Sequence, residues 1–320
     1  MNYIVLDLEW NQSYRGKEYS IEEMPFEIIQ IGAVKLDEHK NITGRWERII
    51  RPVEYVKLHG KVSEMLGITE DELKVGDDFA GAAKEFLEWC GDDYEFITWG
   101  SSDLTEFQRN MKHFGVENNF PFPFMYYDLQ KLYSKVYSDG KTRRSLKMAI
   151  EELGFSEDAE YHSAVYTARI FQQMDFDSVK VYESIDTYRI PKDRKTEIYA
   201  NFGTYEKYIS RGFKTRDNAA DDRVARSCRC YICGKSMKRL IKWFATTSKT
   251  YYSVFVCEEH GTFKGKLKVK HNDNGLYYDV RIVKQTDEKG VDKIIDKQVK
   301  EREHRRRKRL EEHKRKKLLK

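Results

Sequence analysis

One short apolar run that carries two acids, Tyr3-Ile4-Val5-Leu6-Asp7-Leu8-Glu9, constrains the fold of this 320-residue chain more than any other stretch. Bounded apolar runs of this kind read as buried central strands. Successive side chains on a strand alternate between its faces, so Asp7 and Glu9 emerge together on one of them. Two unpaired buried carboxylates would cost several kcal/mol, and a bound divalent cation is the usual remedy. The competing reading is a strand end that has run into solvent.

Further periodic segments follow. Phe26 to Leu36 alternates like a second strand and Ile42 to Arg51 reads as a third, which suggests a meander. Helical spacing is expected over Asp78–Trp89 and Asp103–Phe114, with a strand at Tyr94–Trp99 between them. Two more helices are expected over Ser145–Leu153, closed by Gly154, and over Ser163–Asp175. Strands first and alternating helices later fit an α/β domain with a mixed sheet. Residues 181–227 read as a helical linker, residues 228–286 as a small β-rich unit, and residues 287–320 as a charged helix or a disordered tail.

Charge divides the chain in the same place. Residues 1–222 carry 29 Lys and Arg against 41 Asp and Glu, whereas residues 223–320 carry 29 against 12. So basic a segment on an otherwise acidic chain points to a polyanion partner, because each cation placed on a phosphate releases condensed counterions. The alternative is a solvated charged helix. Apolar runs are too short for a spanning helix, and the first residues lack a basic leader with a long apolar stretch, so no membrane association and a cytoplasmic location are expected.

Two later segments support the paired acids. Asp103, in Trp99-Gly100-Ser101-Ser102-Asp103-Leu104-Thr105-Glu106-Phe107, falls past a predicted strand and at the start of a helix. It could equally cap that helix. His162, in Tyr161-His162-Ser163-Ala164-Val165-Tyr166-Thr167-Ala168-Arg169, stands at the entry to another helix and becomes a candidate general base once carboxylates are near.

The ordered set Val5–Trp10, Glu27–Val34, Val62–Thr69, Trp99–Phe107 and the His162 segment resembles the motifs of DEDDh 3′-to-5′ exonucleases over residues 1–180. That resemblance implies a ribonuclease H-like mixed sheet flanked by helices. It further implies two divalent cations, Mg²⁺ or Mn²⁺, held by Asp7, Glu9 and Asp103, with His162 deprotonating the attacking water. Trp10 and Asn11, and the apolar Met65 and Leu66, match loops that border the terminal nucleotide. The implied partner is a single-stranded 3′ end, RNA before DNA.

One position departs from the pattern. Thr167 stands five residues after His162, where the family has a fourth metal-binding Asp. Threonine is neutral and binds Mg²⁺ far less well than a carboxylate. Three expectations follow: an exonuclease with an altered or weakened metal site, a catalytically inactive nucleic-acid-binding or regulatory protein on a nuclease scaffold, or an engineered loss-of-function change at this position.

Four of the five cysteines fall in one short segment, a spacing that suits a metal site better than a disulfide framework. Cys230-Tyr231-Ile232-Cys233 and Cys257-Glu258-Glu259-His260 resemble the paired knuckles of a zinc ribbon and predict structural Zn²⁺ on Cys230, Cys233, Cys257 and His260. Cys228 competes for a place in that set, and Cys90 reads as a core residue. Lys264, Lys266, Lys268 and Lys270 alternate along one predicted strand face. They suit either a phosphate-binding stripe or an edge strand kept from aggregating by lysines.

Overall fold

The computed structural model describes residues 1–155, 163–174 and 183–318. The chain divides into two compact units, Met1–Tyr188 and Arg189–Lys320.

The first unit opens with the expected meander, β1 (Asn2–Asn11), β2 (Glu27–Leu36) and β3 (Ile42–Ile49). It continues through α1 (Gly60–Leu66), α2 (Glu70–Lys74), α3 (Phe79–Cys90), β4 (Tyr94–Thr98) and α4 (Ser102–His113). The rest comprises β5 (Met125–Asp128), α5 (Leu129–Tyr137), α6 (Leu146–Glu152), α7 (Ser163–Gln173) and the short β6 (Ser184–Ile185). Side-chain caps set several helix starts: Thr69 and Glu72 form a reciprocal capping box on α2, and Asp78, Asp128 and Ser145 each accept a backbone N–H.

These strands form one mixed sheet in the order β3-β2-β1-β4-β5-β6. The meander is antiparallel, while β4 runs parallel to β1 and β5 parallel to β4. Alternation along β1 divides the core. Ile4, Leu6 and Leu8 pack with Phe86 of α3 and Leu104 and Phe107 of α4, whereas Tyr3 and Val5 pack with Ala149 of α6 and Ala168 and Phe171 of α7. The result is the ribonuclease H-like α/β architecture expected from the sequence. Asp7, two residues beyond Val5, continues the face that α7 covers.

The second unit is built on another six-stranded sheet. Its elements are β7 (Ile198–Asn201), β8 (Glu206–Ile209), α8 (Arg216–Ala220), α9 (Arg223–Arg226), β9 (Lys238–Thr247), β10 (Thr250–Cys257), β11 (Gly261–His271), β12 (Tyr277–Gln285) and α10 (Glu288–Leu318). The strand order is β7-β8-β12-β11-β10-β9, with every pair antiparallel. Residues 181–227 are therefore not a helical linker. Their described part supplies β7 and β8 as well as two short helices, because Tyr208 and Ile209 are buried when β8 pairs with β12. The residues from 288 onward form a helix through Leu318. Among the described residues, no helix is long and apolar enough to cross a membrane.

Candidate functional site

The three acids singled out in the sequence converge at the C-terminal ends of two parallel strands. The pairing of β1 with β4 ends at Val5 and Ile97, so β1 runs on past its neighbour. Into that gap comes the N-terminus of α4, and the Leu8 N–H donates to Asp103 Oδ1 at 3.3 Å. The turn that delivers Asp103 passes through Gly100 at φ +111°, a conformation that side-chain-bearing residues rarely adopt. Its carbonyl accepts the Thr98 hydroxyl at 2.6 Å.

Crowding of these carboxylates is visible in their proton affinities. Asp103 is 7% exposed, and burial followed by the charge of Asp7 holds its carboxyl well above the usual range. Burial, and then the same Asp7 charge, pushes Glu9 up to about 8. A divalent cation would remove both penalties by binding the ionised oxygens directly. The donor set therefore fits a hard cation.

Thr167 fits such a cation less well. It lies on α7, 1% exposed, and its Oγ1 has no hydrogen-bond partner among the described residues. A buried hydroxyl left without a partner usually has a reason, such as an ion or water that it contacts. His162, the predicted general base, lies outside the described residues. Met65 and Leu66 are in α1, but their side chains lie outside the described set as well.

Trp10 is half-buried and packs on Phe26, with ring centroids 5.7 Å apart. Asn11 does not fit a direct substrate contact, since it is fully buried. Its Nδ2 donates to the Tyr55 carbonyl at 2.6 Å and the Lys57 carbonyl at 2.9 Å, and its Oδ1 accepts the His59 N–H at 3.0 Å.

Sequence reasoning missed Glu27, which with Asn11 holds the loop over residues 53–59. Glu27, opposite Asn11 in the β1–β2 register, accepts the N–H groups of Val53, Glu54 and Tyr55. Burial raises its carboxyl and those three donors oppose the rise. An acid within an otherwise apolar strand was the available signal.

A family profile described as Exonuclease matches residues 4–171, just over half of the chain. The chain belongs to this exonuclease family.

Among curated relatives, the exonuclease segment is 25% identical over 148 residues to the human protein named 3′-5′ exoribonuclease 1, a match covering 44% of this chain and 42% of that one. The mouse protein of the same name is 25% identical over 151 residues, covering 45% and 44%. The chain thus spans less than half the length of these relatives. A solved structure of the nuclease domain of 3′hExo, described as a DEDDh family member bound to rAMP, is 24% identical with a TM-score of 0.47, covering 58% of this chain and 96% of that one.

The second unit holds four of the five cysteines. Cys230, Cys233, Cys257 and His260 bring one ligand atom each to within 4.8 Å of one another. Cys230 Sγ and Cys257 Sγ each lie 3.7 Å from His260 Nδ1, and Cys233 Sγ lies 3.7 Å from Cys257 Sγ. Those spacings match the edge of a tetrahedron about a metal at roughly 2.3 Å, the Zn–S distance. The His260 hydrogen bond holds the Cys257 thiol down at about 6, toward the thiolate that a metal requires. Cys228 is not part of this set. It packs with Phe255, Phe263 and Val283, where burial pushes its thiol up to about 11. Cys90 likewise belongs to the first unit's core, as expected.

Proposed function

We propose that this chain removes nucleotides from the 3′ end of single-stranded nucleic acid, RNA in preference to DNA, by hydrolysing the terminal phosphodiester bond. The convergence of Asp7, Glu9 and Asp103 at one end of the mixed sheet, with Glu9 and Asp103 each held toward the protonated form by burial and by Asp7, carries this reading. The names of the relatives, 3′-5′ exoribonuclease, favour both the direction and RNA.

Asp7, Glu9 and Asp103 would hold Mg²⁺ or Mn²⁺, which supplies charge neutralisation at the scissile phosphate and activates water. The Leu8 N–H keeps Asp103 turned toward β1, so the acids stay at hand as a preformed set. His162, near neutrality in its ordinary titration, takes the proton of the attacking water. The part of Trp10 that Phe26 leaves uncovered stacks on the terminal base, and Met65 and Leu66 border it. Thr167 offers a hydroxyl where a fourth carboxylate would strengthen cation binding. In the second unit, Cys230, Cys233, Cys257 and His260 hold a structural Zn²⁺, with no open ligand position for chemistry.

One observation favours a second reading, a binding protein on a disabled nuclease scaffold: the buried Thr167 hydroxyl carries no charge to share with a cation. End-labelled single strands of RNA and DNA incubated with Mg²⁺ or Mn²⁺ separate the two. Stepwise 3′ shortening by the natural chain, abolished in Asp7→Ala, supports the exonuclease. Shortening only after Thr167→Asp supports the disabled site, and binding without cleavage in all three proteins overturns the nuclease reading.

A further inference from the structure

The second unit is strongly basic, with 37 Lys and Arg against 18 Asp and Glu over residues 189–320. Part of that charge is organised on the sheet. Along β11, Phe263, Gly265, Leu267 and Val269 are buried, so Lys264, Lys266, Lys268 and Lys270 project from the opposite face. Lysines of this kind often protect an edge strand from pairing with another chain. That explanation fails here, because β11 is an interior strand hydrogen-bonded to β10 on one side and β12 on the other.

Neighbouring strands extend the same face. Lys284 of β12 is the cross-strand partner of Lys264, and the exposed Ile282 is the partner of Lys266. Among the described residues, none of Lys266, Lys268 and Lys284 forms an ion pair with a carboxylate.

On β10 the partner of Lys266 is Tyr252, whose ring lies 6.4 Å from that of Phe244 on β9. Two ammonium groups lie near the Tyr252 ring: Lys266 at 5.8 Å from its centroid and, on α10, which packs on β9 and β10, Lys297 at 5.3 Å. Steps of two residues along a strand space the lysines by about 6.6 Å, and neighbouring strands lie about 4.8 Å apart. A lattice of cations at that spacing beside half-buried aromatic rings can take phosphates and unpaired bases together.

We propose that this face of the second unit, centred on Lys266, Lys268, Lys284 and Tyr252, is a binding surface for single-stranded nucleic acid. The lysines hold the phosphates regardless of sequence, and Tyr252 with Phe244 offers stacking for bases. Base stacking selects a single strand over a duplex, whose bases are already stacked. This inference rests on the exonuclease reading only for the partner's class, since its surface lies wholly in the second unit.

Binding of a labelled single-stranded RNA of about 12 nucleotides to the full chain tests it. The chain carries Asp7→Ala so that the strand is not consumed, and fluorescence anisotropy is followed across a salt series. Replacing Lys266, Lys268 and Lys284 together by Gln, which keeps much of each aliphatic stem, is expected to weaken binding about tenfold or more. The slope of log K against log salt should flatten by about 2, as loss of three single-strand phosphate contacts implies. Arg at the three positions should restore both. Gln at the exposed Lys17, Lys84 and Lys147 of the first unit should move neither. Tyr252→Leu should erase the preference for single strand over duplex.

Unchanged affinity and slope in the triple Gln variant, with zinc content and melting retained, would overturn the inference. So would equally lysine-dependent capture by phosphatidylserine vesicles. Stepwise 3′ shortening by the natural chain alongside unchanged binding in the Gln variant overturns this surface alone. Lysine-dependent binding with no shortening by any variant overturns the nuclease reading and leaves the surface standing.

Discussion

The Leu8 backbone N–H donates to Asp103 Oδ1 at 3.3 Å, tying the first turn of α4 to the strand between Asp7 and Glu9. The bond and the charge of Asp103 are separable. In Asp103→Asn the amide oxygen still accepts from Leu8, while the negative charge that would bind a cation is gone. Melting temperature is expected to stay within a few degrees, whereas Mg²⁺-dependent 3′ shortening falls about 100-fold or more. Activity retained in this variant would remove Asp103 from the cation site.

Asn11 and Glu27 support the same end of the sheet indirectly. Replacing Asn11 by Ala leaves the His59 N–H and the carbonyls of Tyr55 and Lys57 without their buried partner. Unsatisfied buried groups cost about 1–3 kcal/mol each, so denaturant midpoints should drop well beyond the effect of a surface change. With the loop loosened, KM for a single strand should rise more than kcat falls. A stability loss with no change in KM would confine Asn11 to folding.

The split between what could and could not be read from the sequence follows interaction range. β1 to β4 and helices α3, α4, α6 and α7 were legible because each carries its own periodicity or cap, as Asp78 and Ser145 do. β5, four residues long and preceded by Pro121 and Pro123, is too short to show a period, and α5 beyond it was missed as well. β8 read as part of a helical linker because its partner, β12, lies some 70 residues further on. Asp7, Glu9 and Asp103 were nameable since acids in apolar or strand-end positions stand out. The work of Asn11 was not, because its partners lie 44 to 48 residues away and only the folded loop brings them close.

Asp279 on β12 gives the second unit a pH dependence. It is fully buried, neither carboxylate oxygen has a hydrogen-bond partner among the described residues, and burial followed by the charge of Asp222 pushes it up to about 8. An acid with a raised folded-state pKa keeps its proton in the folded chain at pH values where the unfolded chain has lost it. Stability therefore falls as pH rises from the ordinary carboxyl range toward about 8, and levels off above it. Asp279→Asn imitates the protonated form and should flatten that fall. Melting curves collected from pH 5 to 9 should cross or diverge, with the variant gaining at the alkaline end, and parallel curves would count against the buried acid as their cause.

Cys228 and Cys230 lie two residues apart, yet only Cys230 points into the tetrahedral set, which makes serine at each position a matched comparison. Cys230→Ser replaces a soft thiolate by a hydroxyl and should release the single equivalent of zinc expected per chain. Loss of that metal should also cost the second unit its cooperative melting, because metal affinity in such sites is folding energy. Cys228→Ser instead buries a hydroxyl among Phe255, Phe263 and Val283, a penalty of about 1–3 kcal/mol that leaves the four ligands intact. Elemental analysis should find zinc undiminished in Cys228→Ser and absent in Cys230→Ser. Zinc lost equally from both would mean that the ligand set includes Cys228, whereas zinc lost from neither would mean that the cluster is a group of reduced thiols.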